Sequence, residues 1–169
     1  MRSALHDALT EKAKTWLAYK MTPRGLCWAT EVSTGSGYVA DAIGLGCLQR
    51  RFAEFYLKGL YTYTEIALIV DSKVSLSDYQ NSKPAKGIAV GNLHWIVAPK
   101  GIFIRDQIID PWGLLEVSGI GLREVKKPIY VAGRDDLVYR IAYSILWANR
   151  HEGRRRRQKS FRDSIKNYA

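Results

Sequence analysis

Apolar residues recur every three or four positions between residues 3 and 19, where Ala4, Leu5, Ala8, Leu9, Ala13, Trp16 and Leu17 mark one side of an amphipathic helix. Pro23 and Gly25 end it. Leu26 to Val32 then reads as a strand, Ser33-Thr34-Gly35-Ser36-Gly37 supplies turn residues, and Tyr38 to Leu45 is the returning strand of a hairpin. A period of two sets Val39, Asp41, Ile43 and Leu45 on one face, so Asp41 interrupts an apolar face. From residue 46 to 63, Leu48, Phe52, Phe55 and Tyr56 have helical spacing, while the aromatics and Gly59 suit a strand equally.

Ile66-Ala67-Leu68-Ile69-Val70 is an unbroken β-branched run of strand length, the signature of a central strand buried on both faces. A short helix begins after Ser75 or Ser77 and reaches Asn81; Leu93 to Ala98 and Gly101 to Ile104 read as strands around a Pro99-Lys100 turn, and Leu114 to Val117 as another. Asp135 or Asp136 caps a last helix with the stripe Leu137, Val138, Ile141, Ala142, Ile145 and Leu146. This order predicts an α/β domain with a mixed central sheet flanked by helices.

Charge divides the chain. Its net +10 calls for a polyanionic partner, and residues 150–169 carry +6 of it, from eight basic and two acidic side chains that include Arg154, Arg155, Arg156, Arg157 and Lys159. Such clustered cations anchor phosphates nonspecifically, so this basic Arg-rich tail is the candidate nucleic-acid contact. Two cysteines, Cys27 and Cys47, make neither a disulfide framework nor a zinc spacing and fit a reduced, cytoplasmic protein. Without a signal-like leader or an apolar run of about 18 residues, no membrane partner is expected.

The chemistry concentrates where the apolar strand ends. Asp71 and Lys73, two apart, emerge on one face while Ser72 points away. If the strand carrying Asp41 pairs with this one, both carboxylates converge beside a lysine. Two carboxylates, a strand carbonyl at Ser72 and waters suit the hard, six-coordinate demands of Mg²⁺, with Mn²⁺ as a substitute. Such an ion polarises a phosphodiester and acidifies a bound water, with Lys73 set against the charge that develops. Alone, Asp-x-Lys reads more readily as a solvated ion pair. His6, His94 and His151 enter no constellation, and His94 reads as a core histidine.

Three stretches give the triplet context: Gly37-Tyr38-Val39-Ala40-Asp41-Ala42-Ile43; Glu65 to Val70 followed by Asp71-Ser72-Lys73-Val74-Ser75-Leu76-Ser77-Asp78-Tyr79; and His94 to Gly101 with Pro111-Trp112-Gly113-Leu114-Leu115-Glu116-Val117. Together, over about residues 37–130, they resemble the PD-(D/E)XK nuclease superfamily, and within it the bacterial and phage branch associated with DNA repair. The resemblance implies a restriction-endonuclease-like fold over residues 1–149. It also implies a Mg²⁺-dependent deoxyribonuclease that hydrolyses phosphodiester bonds in DNA repair or phage DNA metabolism, gripping DNA through its cleft and tail. It makes Asp41 and Asp71 the metal-binding acids and Lys73 the catalytic lysine, with Glu31, and less directly Glu11, as auxiliary acids. Asp71 stands where the branch usually has Glu, and Ala40 where the superfamily has Pro. A catalytically decayed fold that only binds nucleic acid, or an RNA nuclease, are the alternative readings.

Overall fold

The computed structural model describes residues 3–22, 27–33 as backbone, 39–57, 66–82 and 91–132. Ser3 opens the first helix, α1 (Ala4–Lys20), by accepting the His6 amide at 3.2 Å, and Asp7 in the first turn and Lys20 in the last complement the helix dipole. Its buried stripe runs through Leu9, Thr10, Ala13 and Leu17, whereas Leu5 at the N-terminal turn is 49% exposed.

Six strands form one sheet in the order β1 (Cys27–Ser33), β2 (Val39–Gly46), β3 (Ile66–Ser72), β4 (Leu93–Ala98), β5 (Gly113–Ser118) and β6 (Gly121–Lys126). β1 pairs antiparallel with β2 and β2 with β3; β3, β4 and β5 are mutually parallel, and β6 returns antiparallel on β5. The sheet is therefore mixed, as the element order predicts. β3 is buried along its whole length, which is why its sequence is apolar without alternation.

Two apolar layers cover it. On one face, Leu9, Ala13 and Leu17 of α1 and Ala53, Tyr56 and Leu57 of α2 (Arg50–Leu57) meet Leu68, Val70, Trp95, Val97 and Leu115. On the other, Ile43, Leu45, Ile69 and Ile96 pack under Tyr79 of α3 (Leu76–Asn81) and under Phe103, Ile108 and Trp112. The helical spacing of Phe52, Phe55 and Tyr56 prevails in α2, whose Tyr56 supplies the buried face.

Two expectations need correction. Gly101–Ile104 is not a strand: Gly101 has φ +78°, Phe103 is anchored in the core against Tyr79 at 5.5 Å, and the chain enters a 3₁₀ turn at Arg105–Gln107. β6 was not expected, because its Gly-Leu-Arg-Glu-Val-Lys sequence lies on the sheet edge with mostly half-exposed side chains and carries no apolar alternation. The C-terminal helix read over residues 135–146, and the tail with Arg154, Arg155, Arg156, Arg157 and Lys159, lie outside the described residues. Within those residues, no helix is long and apolar enough to cross a membrane.

Candidate active site

The β2–β3 ladder is paired from Gly46↔Ile66 to Ala42↔Val70, and the next residues on the two strands are Asp41 and Asp71. Both acids are 4% exposed. Beyond the last pair, the Ser72 amide donates to Asp41 Oδ2 at 2.8 Å, so a carboxylate occupies the place of a backbone acceptor between the strands. The same oxygen lies 3.2 Å from His6 Nε2 on α1. Strict alternation lapses here: Ala40 joins the layer of Ile43, whereas Ala42 joins the layer of α1. Asp41 thus turns toward α1 rather than sharing the face of Ile43 and Leu45. Thr10 Oγ1 and Ser72 Oγ, 2.9 Å apart, complete a polar seam between α1 and the end of β3.

Asp71 and Lys73 meet as a two-residue spacing on a strand dictates, with Lys73 Nζ 3.0 Å from Asp71 Oδ2. The Lys73 amide donates to the Val97 carbonyl at 2.9 Å and so continues the β3–β4 ladder. Lys73 is 6% exposed. Removing two charges from water costs several kcal/mol per ion, and deleting one partner of such a pair costs about 3–5 kcal/mol. The turn that follows is fixed locally. Asp78 Oδ2 accepts the Val74 amide and Ser75 Oγ the Asp78 amide, both at 3.1 Å, while buried Tyr79 takes the Ile109 amide on its hydroxyl oxygen. Asp78 and Tyr79 therefore support the end of β3.

Glu31 lies on β1 between the pairs Thr30↔Ala42 and Val32↔Ala40, across from Asp41; its side chain is outside the described residues. Glu11 is exposed, 3.4 Å from Lys14. His94 is fully buried with its ring 5.1 Å from Trp112, in keeping with a core histidine. Glu116, also buried, accepts the Gly101 amide at 3.0 Å and meets Arg123 at 3.3 Å, which ties the loop after β4 to β5. Sequence pattern does not single out His6 as a neighbour of the acids. It stands four residues before Thr10, on the same helix face, and only the burial of Thr10 shows which way that face points.

Among the described residues, no group of three or more His, Cys, Asp or Glu side chains is arranged to hold a metal ion. The expected convergence of both carboxylates on one face needs correction. Asp41 leans toward α1 with Ser72 and Thr10, whereas alternation from Val70 leaves Asp71 and Lys73 on the side of Ile69. The fit of Asp41, Asp71 and the Ser72 carbonyl to Mg²⁺ is therefore one of donor type, at one strand end. That ion uses one or two carboxylates and keeps its remaining positions for water and phosphate.

A second polar cluster lies away from these acids. Glu124 Oε1 accepts from Trp95 Nε1 and from the Tyr56 hydroxyl, each at 2.9 Å. Burial first, then the charge of Glu124 and the hydrogen bond to it, holds the Tyr56 hydroxyl protonated far above its usual range. Burial also lowers the Lys20 pKa, against the opposing pull of Glu124 and with a smaller push from Arg51. Glu124, Lys20, Trp16 and Leu122 help line a cavity of about 650 Å³ between α1 and β6.

No family model and no curated protein matches the chain. Among solved structures it is similar to a protein of unknown function from Silicibacter pomeroyi, with a TM-score of 0.63 and 15% sequence identity over 97% of this chain and 95% of that one. That likeness is one of fold.

Proposed function

We propose that the protein is a metal-dependent nuclease that hydrolyses DNA phosphodiester bonds. The observation that carries the reading is the buried Asp71–Lys73 pair, at 3.0 Å, beside buried Asp41 where the β2–β3 ladder ends. Burial of three ionisable groups at one sheet end opposes stability unless they act together. In this reading Asp41 and Asp71 would hold Mg²⁺, which when bound would supply Lewis-acid polarisation of a phosphoryl oxygen and a more acidic water. Lys73 neutralises charge gathering on the phosphoryl group in the transition state. The Ser72 amide fixes the Asp41 carboxylate by hydrogen bonding to Oδ2, and His6 Nε2 stands 3.2 Å from the same oxygen. A setting in DNA repair or phage DNA metabolism follows from the resemblance of the motifs.

One observation favours the rival reading of a binding module with a silent site. Asp41 Oδ2 already has two partners, and Asp71 is tied to Lys73. Cleavage assays on DNA and RNA separate the readings. DNA cutting that stops in EDTA and returns with Mg²⁺ or Mn²⁺ is expected. Lys73→Ala should lower the rate at least about a hundredfold, as loss of a group acting on transition-state charge does, and still bind Mn²⁺. Asp41→Ala should lose both cleavage and Mn²⁺. Normal cutting by Lys73→Ala removes its assigned role, DNA binding without cutting leaves the module, and cleavage confined to RNA moves the substrate.

A further inference from the structure

The outer side of α1 and α2 interleaves rings with cations. Tyr19 and Phe52 meet edge to face with centroids 5.6 Å apart, and Phe55 meets Tyr56 at 5.0 Å. The Lys20 ammonium joins these pairs, 3.8 Å from the Phe52 centroid and 5.6 Å from that of Tyr56. Arg51 lies over Tyr19 at 4.8 Å and Lys127 over Phe55 at 3.5 Å. Tyr19 is 56% and Phe55 45% exposed, so two large rings stand in water beside Lys20, Arg51 and Lys127, with Glu54 of α2 paired to Arg50 at 2.9 Å. The cavity beside Trp16 and Lys20, about 650 Å³ and lined by Glu11 and Glu124 as well as Lys12, opens next to them. That volume falls in the range of small-molecule sites, enough for an unstacked base.

A ligand that gains from both the rings and the cations must offer flat π faces and closely spaced negative charge. Duplex DNA buries its base faces in its own stack and gains only from the cations. An apolar peptide strips water from Lys20, Arg51 and Lys127 without replacing it. Unpaired nucleobases on a phosphate backbone satisfy both demands, and the net charge of +10 attracts such a polyanion.

We propose that this face binds single-stranded nucleic acid, with bases stacked on Tyr19 and Phe55 and phosphates met by Lys20, Arg51 and Lys127. It uses none of the residues assigned to hydrolysis, and the two readings stand or fall separately.

The test measures binding in EDTA, where a metal-dependent reaction cannot interfere. Fluorescence anisotropy compares the full chain on labelled oligo-dT of about twelve nucleotides and on an abasic strand with the same phosphates. Removing one stacked base weakens binding about fivefold or more, so the wild type should prefer oligo-dT by at least that factor. Tyr19→Ala and Phe55→Ala should each shrink the preference while leaving abasic binding unchanged. Arg51→Gln and Lys127→Gln should weaken both ligands and flatten the log–log salt slope by about 0.7 each. Tyr19→Leu, which keeps apolar bulk, should behave as Tyr19→Ala if stacking is the cause. Equal wild-type affinity for the two strands, or a preference that survives Tyr19→Ala and Phe55→Ala, overturns the proposal. Neither outcome bears on cleavage by Lys73.

Discussion

Tyr56 shows how one buried group sets a pH response. Its folded pKa lies far above the unfolded value of 10.0. The stability it lends is therefore complete below pH 10 and is lost as the pH rises above that value. Lys20 works in the opposite direction. Its folded pKa is below 10.5, so stability rises with pH from that folded value to 10.5, after which only the loss from Tyr56 remains. Tyr56→Phe removes a hydrogen bond to a charged acceptor and should cost about 1.5–3 kcal/mol near neutral pH. The gap from wild type should narrow above pH 10, because the variant has no Tyr56 proton to release. Thermal melts of both proteins from about pH 8 to 11 measure the gap, and parallel curves refute the assignment. Such couplings differ in how far the sequence reveals them. Asp41, Asp71 and Lys73 stand out because each interrupts or ends an apolar run. His6 does not, because its partner is 35 positions away on another element and depends on the lapse in alternation at Asp41. Glu124 is hidden likewise, since Tyr56 and Trp95 reach it across 68 and 29 residues.

Among the elements, those whose burial imposes a periodicity were legible, and those placed by packing from elsewhere in the chain were not. β3 declares itself through five consecutive apolar residues, Ile66 to Val70, because both its faces are covered. Gly101–Ile104 has similar composition, but Phe103 is drawn into the core beneath α3, and the strand partner of β4 is β5. The β5–β6 seam depends on close approach rather than apolar area. A Cβ at Gly113 would lie 2.7 Å from both the Lys126 carbonyl oxygen and Trp95 Cδ1, and 2.8 Å from the Pro128 nitrogen. Two of those atoms are backbone and cannot rotate away. Gly113→Ala should therefore destabilise by about 1–3 kcal/mol or more, lowering Tm by roughly 2–4 °C per kcal/mol. Gly44→Ala is the control, since its Cβ would meet Leu17 and Leu68 at 3.7 Å, ordinary van der Waals distance. It should change stability by less than about 0.5 kcal/mol. Equal melting temperatures for the two variants remove close packing as the reason for glycine at position 113.

At the scale of the whole molecule, the described strands and the densest charge lie in different parts of the sequence. The six strands among the described residues lie between Cys27 and Lys126, while residues 150–169 hold +6 of the net +10. Truncation after Asn149 should consequently leave the sheet folded and alter affinity for nucleic acid. If the tail meets phosphates, its eight basic side chains no longer neutralise them, and the log–log dependence of DNA affinity on salt becomes shallower by about 0.9 for each B-DNA phosphate so released. Cleavage should fall through a higher KM, with kcat at saturating DNA nearly unchanged, since the tail supplies attraction common to ground and transition states. The preference of the full chain for oligo-dT over the abasic strand should persist in the truncated protein, because Tyr19 and Phe55 remain while total affinity drops. An unchanged salt slope would show that the arginine run does not touch DNA, and would assign it to a protein partner or to a solvated surface.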